Sequence, residues 1–202
     1  MTRSHIVLAV LALAATATPV HAAVKVKPAC NLVKDSGGDA YVVPGTGNPQ
    51  TYDPSLDIVS ADVAANGKYL SAVIRLKDLT EADNLAPGGR VWRLTVTNGT
   101  ASVGLSTFVS TWGTYFGQGT GTVDYTRNLI QMNIALADIP YAKIKVGDKL
   151  KNINVYANWM IGLNPAATFG YGIEPAGGST DSAVNTTVSY AVGYPSCVVV
   201  PK

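Results

Sequence analysis

Apolar and polar side chains alternate over two adjacent segments between Asp57 and Leu79, DIVSADVAANGKYLSAVIRLKDL. An Asn66-Gly67 pair separates the segments, and such a pair is typical of a two-residue hairpin turn. The pattern therefore predicts a β-hairpin with one apolar face and one mostly polar face. Counted outward from the turn, the expected opposed pairs on the core face are Val63–Leu70, Ala61–Ala72 and Val59–Ile74.

The opposite face of this hairpin carries Ser60, Asp62, Ser71, Val73 and Arg75. Reversal of the charge of Arg75 on that face is expected to cost little stability. Ala61 and Ala72 are small, which predicts that the facing sheet approaches closely at these positions.

Residues 90–109 show the same pattern around a second turn, Asn98-Gly99. The expected pairs are Val96–Ala101, Leu94–Val103 and Trp92–Leu105, with Trp92 in the core. Residues 128–136 and 150–161 also alternate, and no helical period is sustained over ten residues. Gly162–Asp181 is rich in Gly and Pro and is expected to be a long loop. The pattern predicts an all-β protein, an antiparallel two-sheet sandwich with a jelly roll as the expected topology.

The first 22 residues have the features of a secretory signal peptide. Arg3 supplies positive charge, Ile6–Ala15 is a short apolar run, and Val20-His21-Ala22 fits a cleavage site. The run is too short to span a bilayer, and no later run is longer. We therefore expect a secreted protein, extracellular or at the cell surface, in which residues 23–202 form a single domain.

Two cysteines lie near the ends of the expected mature chain. In an exported protein, Cys30 and Cys197 most simply form one disulfide.

Composition narrows the classes of function. Both histidines, His5 and His21, lie in the expected signal peptide, which excludes Ser-His-Asp catalysis and histidine-bound zinc from the mature chain. The chain has 15 basic and 13 acidic residues, and removal of Arg3 leaves 14 basic ones. No basic stripe indicates nucleic acid, and no basic amphipathic helix indicates a membrane surface.

Carboxylates remain available for catalysis. A pair of them can hydrolyse a glycosidic bond without histidine. The candidates lie in or beside turns, and no pair is prominent: Asp124, Asp138, Asp148 and Glu174. The chain also lacks a nucleophile elbow and a Walker loop. The protein is therefore not expected to be an enzyme, and a glycoside-acting enzyme is the third alternative.

Four short motifs follow one another in an order seen in a known group of modules. They are Asp-x-Gly-Gly-Asp (35–39), DIVSADV (57–63), IRLKDL (74–79) and Pro-Gly-x-x-x-Trp (87–92). This order resembles the DOMON-like or family 9 carbohydrate-binding-module-like β-sandwich of secreted bacterial proteins, over most of 31–192 and most sharply over 35–96. The resemblance implies a β-sandwich of the kind often appended to extracellular hydrolases.

Some relatives in that group bind haem through methionine or histidine. Only Met132 and Met160 remain in the expected mature chain, so we expect no haem.

Three aspartates form a candidate metal site. Asp57 is in phase with core-facing residues but begins its strand, and a carboxylate at the rim of a core needs a partner. Asp35 and Asp39 lie in a Gly-containing turn that could approach it. Three carboxylates with backbone carbonyls would suit Ca²⁺. The alternative is that each carboxylate caps a turn through backbone N–H groups.

Amide and aromatic side chains mark a candidate ligand-binding face. Asn152, Asn154, Tyr156 and Asn158 repeat at period two on the polar side of one strand, and Gln131 and Asn133 occupy the polar side of another. Amides can bond sugar hydroxyls, and tyrosine offers a flat apolar surface. Trp112, with Tyr115 and Phe116, is a further candidate platform, although such aromatics also plug sandwich ends.

The sequence thus predicts a secreted, non-catalytic binding module with a glycan or cell-surface ligand. One alternative is a structural or surface protein without a small ligand, on which the polar strand face is only a solvated surface.

Overall fold

The computed structural model describes residues 27–42, 51–81, 89–110, 113–160 and 180–202. Within these ranges the chain forms β-strands and two short 3₁₀ turns, Leu136–Asp138 and Pro140–Ala142. None of the described helical segments has the length and apolarity that a membrane crossing requires. The strands are β1 Val33–Lys34, β2 Tyr41–Val42, β3 Thr51–Tyr52, β4 Ile58–Ala65, β5 Tyr69–Leu76, β6 Gly89–Asn98, β7 Ala101–Ser110, β8 Gly113–Phe116, β9 Thr120–Asp124, β10 Leu129–Ala135, β11 Lys149–Met160, β12 Thr180–Asn185 and β13 Tyr190–Ala191.

These strands form two antiparallel sheets that pack face to face. The five-stranded sheet has the order β1-β4-β5-β10-β9. The six-stranded sheet has the order β12-β11-β6-β7-β8, with β13 paired to β11. A separate small sheet pairs β2 with β3. The predicted all-β, antiparallel two-sheet sandwich is confirmed, whereas the jelly-roll topology stays a prediction.

The core lies between the sheets and follows the predicted alternation. On β10 the buried side chains are Ile130, Met132 and Ile134, and on β11 they are Ile153, Val155 and Ala157. Trp92 of β6 is 1% exposed, and its indole N–H donates to the carbonyl of Ser55 at 3.0 Å. The assignment of Trp92 to the core is therefore confirmed.

The predicted register of the first hairpin was wrong by two residues. The observed pairs are Ala65–Leu70, Val63–Ala72 and Ala61–Ile74. The backbone N–H of Asn66 donates to the carbonyl of Tyr69 at 3.0 Å, so Gly67 and Lys68 are the central turn residues. The Asn66 side-chain oxygen accepts from the N–H groups of Lys68 and Tyr69, as in an Asx turn. A shift of two residues preserves the predicted faces of β5.

A β-bulge explains the one wrong core assignment on β4. The register shifts between Ile58 and Ser60, so Val59 has no partner in the ladder. Val59 is 42% exposed, whereas Ile58 is fully buried. The bulge turns Val59 out of the core and puts Ile58 in its place.

The second hairpin shows the same displacement of the turn. Its observed pairs are Asn98–Ala101, Val96–Val103, Leu94–Leu105 and Trp92–Thr107. Gly99 has φ +59°, and glycine at the first central position is typical of a type II′ turn. In both hairpins the asparagine therefore precedes the two central turn residues, and glycine is the first of them.

The outward face of the five-stranded sheet is also buried. Asp62 and Ser71 on this face are both 0% exposed. Oδ2 of Asp62 lies 2.7 Å from Nη1 of Arg75, and its Oδ1 accepts from the Leu32 N–H at 2.9 Å. The expectation that charge reversal at Arg75 is cheap does not hold, because Arg75 neutralises a buried carboxylate.

The two ends of the described chain cover this face. The predicted disulfide between Cys30 and Cys197 is confirmed, with a Cα–Cα distance of 5.2 Å. Beyond it, Asn66 Nδ2 on the β4 side donates to the carbonyl of Pro201, and Gln131 Nε2 on β10 donates to that of Val199. The C-terminal segment 196–202 thus crosses the outward face of the sheet.

Replacement of Ala72 by leucine is expected to lower the free energy of unfolding by about 1–3 kcal/mol, because added methyl and methylene groups overpack a filled core. Ala72 is 0% exposed and lies between Val63 and Met132 on neighbouring strands. Urea denaturation would measure the effect. The same change at exposed Ala137 is the control and should have almost no effect. Equal stability of Ala72→Leu and the parent would contradict close packing here.

Candidate functional site

A glycine-containing loop after β1 carries two of the predicted metal ligands, Asp35 and Asp39. Gly37 and Gly38 have φ values of +71° and +85°. Residues with a side chain rarely adopt this left-handed conformation, so the paired glycines permit the tight turn. Asp39 is exposed and Asp35 is partly buried.

Asp57 lies against this loop and is fully buried. Its Oδ2 accepts hydrogen bonds from the Gly38 N–H at 2.8 Å and from the Tyr52 hydroxyl. Its Oδ1 has no hydrogen-bond partner. That free oxygen faces Gly37, because a methyl group on Gly37 would lie 3.3 Å from it.

The third carboxylate of the cluster comes from Asp181 on β12, in the other sheet. Carboxylate oxygens of Asp35, Asp39 and Asp181 lie within 4.8 Å of one another. Asp181 is 3% exposed, and its Oδ2 accepts from the Ile58 N–H of β4 at 2.7 Å. The predicted trio of Asp35, Asp39 and Asp57 is thus close in space, but Asp181 joins Asp35 and Asp39 most tightly and Asp57 lies beside them.

The sequence interpretation missed Asp181 because it placed residues 162–181 in a loop. In the structure Asp181 belongs to β12, which begins at Thr180. The nearest signal was the alternation that follows it, in which Asp181, Ala183 and Asn185 share one phase. Residues 161–179 lie outside the described residues.

The cluster places the buried carboxyl of Asp181 beside those of Asp35 and Asp39. The pKa of the Asp181 carboxyl is raised to about 7, chiefly by burial and also by the carboxyls of Asp35 and Asp39, while the hydrogen bond from the Ile58 N–H opposes the rise. The hydrogen bond to Asp57 raises the pKa of Tyr52 to about 12. Tyr52 therefore remains a protonated donor at neutral pH.

No described lysine or arginine neutralises this group of carboxylates. The ion pairs within the described ranges are Arg75–Asp62, Arg90–Asp53 and Arg127–Asp124. Oδ2 of Asp35 is buried without a hydrogen-bond partner, as is Oδ1 of Asp57. Such oxygens are costly unless a proton or a cation compensates them.

Turn capping, the alternative interpretation of these carboxylates, accounts for only part of the arrangement. Oδ1 of Asp35 accepts from the Ser36 N–H at 2.7 Å, and Asp57 accepts from Gly38. In each case the cap uses one carboxylate oxygen and leaves the other without a partner. The arrangement could therefore also hold a hard cation through oxygen ligands.

A second candidate site is the outward face of the six-stranded sheet. Asn154, Tyr156 and Asn158 of β11 share this face, because Val155 and Ala157 between them are buried in the core. Tyr156 lies between Arg93 of β6 and Ser182 of β12 in the sheet register. The structure thus places three of the predicted ligand-binding residues side by side.

The amide oxygens on this face have unused bonding capacity. Oδ1 of Asn154 and Oδ1 of Asn158 are buried and have no hydrogen-bond partner among the described residues. Arg93 is exposed beside Tyr156. A Cβ on Gly104 of β7 would lie 2.9 Å from Arg93 Nε, so the guanidinium lies over β7, on the side of β6 away from β11. The two unsatisfied amide oxygens on either side of Tyr156 are therefore the distinctive feature of this face.

Gln131 and Asn133 do not join this face. They lie on the outward face of the five-stranded sheet, on the opposite side of the sandwich from Tyr156. Asn133 accepts from the Ser71 hydroxyl at 2.7 Å, and Gln131 holds the C-terminal segment through Val199. On that side of the sandwich, these two amides hold neighbouring parts of the protein in place. The predicted platform residue Trp112 lies outside the described residues.

Three of the four carboxylates considered for catalysis lie in the described part of the chain. Asp124 pairs with Arg127 at 2.6 Å, and hydrogen bonds from Arg127 lower the pKa of its carboxyl. Asp148 accepts from the Lys145 N–H and from Asn98. Asp138 is exposed, and Glu174 lies outside the described residues.

Comparison with known proteins identifies no relative. No family model, no curated protein and no solved structure matches this chain. The resemblance to DOMON-like and family 9 modules stays a prediction.

Proposed function

We propose that the protein is an exported, non-catalytic module that binds a carbohydrate on the outward face of its six-stranded sheet. The observation that carries this proposal is the pair of unpartnered amide oxygens, on Asn154 and Asn158, that flank Tyr156. Buried acceptors without partners are uncommon. A ligand hydroxyl would satisfy each of them once the groups that cover it move aside.

The chemistry of this face suits a sugar. A pyranose presents hydroxyls around its edge and apolar C–H groups on its faces. The Tyr156 ring offers a flat surface for such a face, and the Asn154 and Asn158 amides can bond its hydroxyls.

Export is supported by the disulfide and by the sequence. Disulfides persist in oxidising compartments, and Cys30–Cys197 is formed. The predicted signal peptide, residues 1–22, lies outside the described residues.

Replacement of Tyr156 by alanine is expected to weaken glycan binding by at least about tenfold, because a partly buried aromatic at the centre of a contact is a typical energetic hot spot. The measurement is a glycan array with the parent protein, followed by calorimetric titration of its best ligand into both proteins. Circular dichroism and the Tm would confirm that the variant folds.

Tyr141→Ala is the matched control, since Tyr141 is 56% exposed on a 3₁₀ turn away from this face. It should leave glycan affinity unchanged. No glycan bound by the parent, together with stable self-association, would contradict the proposal and favour a structural or surface protein. Equal affinity of the parent and Tyr156→Ala would place the binding site elsewhere.

A further inference from the structure

We propose that Asp35, Asp39 and Asp181 bind one calcium ion that bridges the two sheets at the edge of the sandwich. This inference does not depend on carbohydrate binding. It concerns a different surface, where the edge strands β1 and β12 meet and β12 also contacts β2 and β4.

The first argument is the spacing of the carboxylates. Oxygens of the three side chains lie within 4.8 Å of one another, which leaves room for an ion between them at ordinary calcium–oxygen distances of about 2.3–2.6 Å. No lysine or arginine in the described ranges is paired with them. Carboxylates this close repel one another, and a divalent cation between them removes that repulsion.

The second argument is independent of the cluster and comes from Asp57. It is 0% exposed, and its Oδ1 has no partner although its Oδ2 accepts two hydrogen bonds. The free oxygen faces Gly37, which lies between Asp35 and Asp39 in the chain. This buried carboxylate therefore places a second uncompensated oxygen beside the loop of the cluster, where a nearby cation would be favourable.

The ligand chemistry selects calcium. The cluster offers only carboxylate oxygens, whereas zinc favours cysteine and histidine. The ligands come from a glycine-containing loop and from a strand of the other sheet, an irregular set that suits the variable coordination of calcium. Magnesium demands near-ideal octahedral geometry and retains more water.

Calcium at this site would fix β12 against β4. Asp181 already accepts the Ile58 N–H across the gap between the sheets. The ion would strengthen the link between Asp181 and the loop, where the Asp35 and Asp181 side chains already contact each other. The competing explanation is that the carboxylates share a proton. Added calcium distinguishes the two explanations, because only a calcium site would bind the ion and be stabilised by it.

The experiment is calorimetric titration of calcium chloride into full-length, oxidised protein stripped with a chelator, with Tm as a second readout. The expected result is one calcium per chain and a rise in Tm of about 5–10 °C at a calcium concentration about 100 times Kd. Asp39→Asn should raise Kd at least about tenfold, because ligand charge sets calcium affinity. Asp39 is exposed and accepts no described hydrogen bond, so this variant should fold.

Asp138→Asn is the matched control, since Asp138 is an exposed aspartate on a 3₁₀ turn outside the cluster. Its Kd and Tm response should equal those of the parent. Absence of calcium heat and of any Tm shift in the parent would overturn the proposal, as would an unchanged Kd in Asp39→Asn. Magnesium binding tighter than calcium would overturn the assignment of the ion.

Discussion

Replacement of Arg75 by aspartate is expected to lower the free energy of unfolding by at least about 3 kcal/mol, because removal of one partner leaves a buried charge uncompensated. Asp62 is 0% exposed, and Arg75 approaches it at 2.7 Å. The new carboxylate would also face Asp62 directly. Urea denaturation, followed by tryptophan fluorescence, would measure the loss.

The control for this prediction is Arg127→Asp. Arg127 also pairs with an aspartate, Asp124, but its side chain is 72% exposed. Solvent screens such a pair, so the unfolding midpoint should hardly move. Equal midpoints for Arg75→Asp and Arg127→Asp would show that Asp62 does not need Arg75 to compensate its buried charge, which would contradict the structure.

The second large effect is expected from the disulfide. Replacement of Cys30 and Cys197 together by serine should lower the free energy of unfolding by about 5 kcal/mol in the chain-entropy model, which gives an upper figure. The bond closes a loop with a sequence separation of 167 residues, so its loss greatly increases the freedom of the unfolded chain.

Chemical reduction of the parent provides the control. The reduced parent should match the double serine variant in its urea midpoint, since both lack only the cross-link. An oxidised parent no more stable than the double variant would contradict a stabilising role for the bond.

The alternation of side chains predicted the faces of the strands well, because a strand's period of two is a local property of its sequence. Ile74 and Val155 lie in the core, and Tyr156 lies outside it, as predicted. The placement of Trp92 follows from the same rule.

Turn position was predicted less well, because it depends on hydrogen bonds that the pattern does not contain. Asn66 follows the last residue of β4 and caps the turn with its side chain, so Gly67 is the first central turn residue. The bulge at Val59 was equally invisible, since Val59 fits a core-facing position by phase and by residue type.

The remaining failures involve residues far apart in the chain. Asp62 looked solvent-facing because nothing local showed that residues 196–202 would cover that sheet. Asp181 lies near Asp35 only because β12, an edge strand of one sheet, lies against β1, an edge strand of the other. Two of the three proposed ligands, Asp35 and Asp39, were therefore predictable from the glycine turn, and the third, Asp181, required the tertiary fold.

Calcium binding between the sheets is tested most directly by an anomalous difference map from crystals of the oxidised protein grown with calcium. The predicted result is one peak among Asp35, Asp39 and Asp181, about 2.3–2.6 Å from their carboxylate oxygens. A map without a peak there, in which the three carboxyls are hydrogen-bonded to one another, would contradict it.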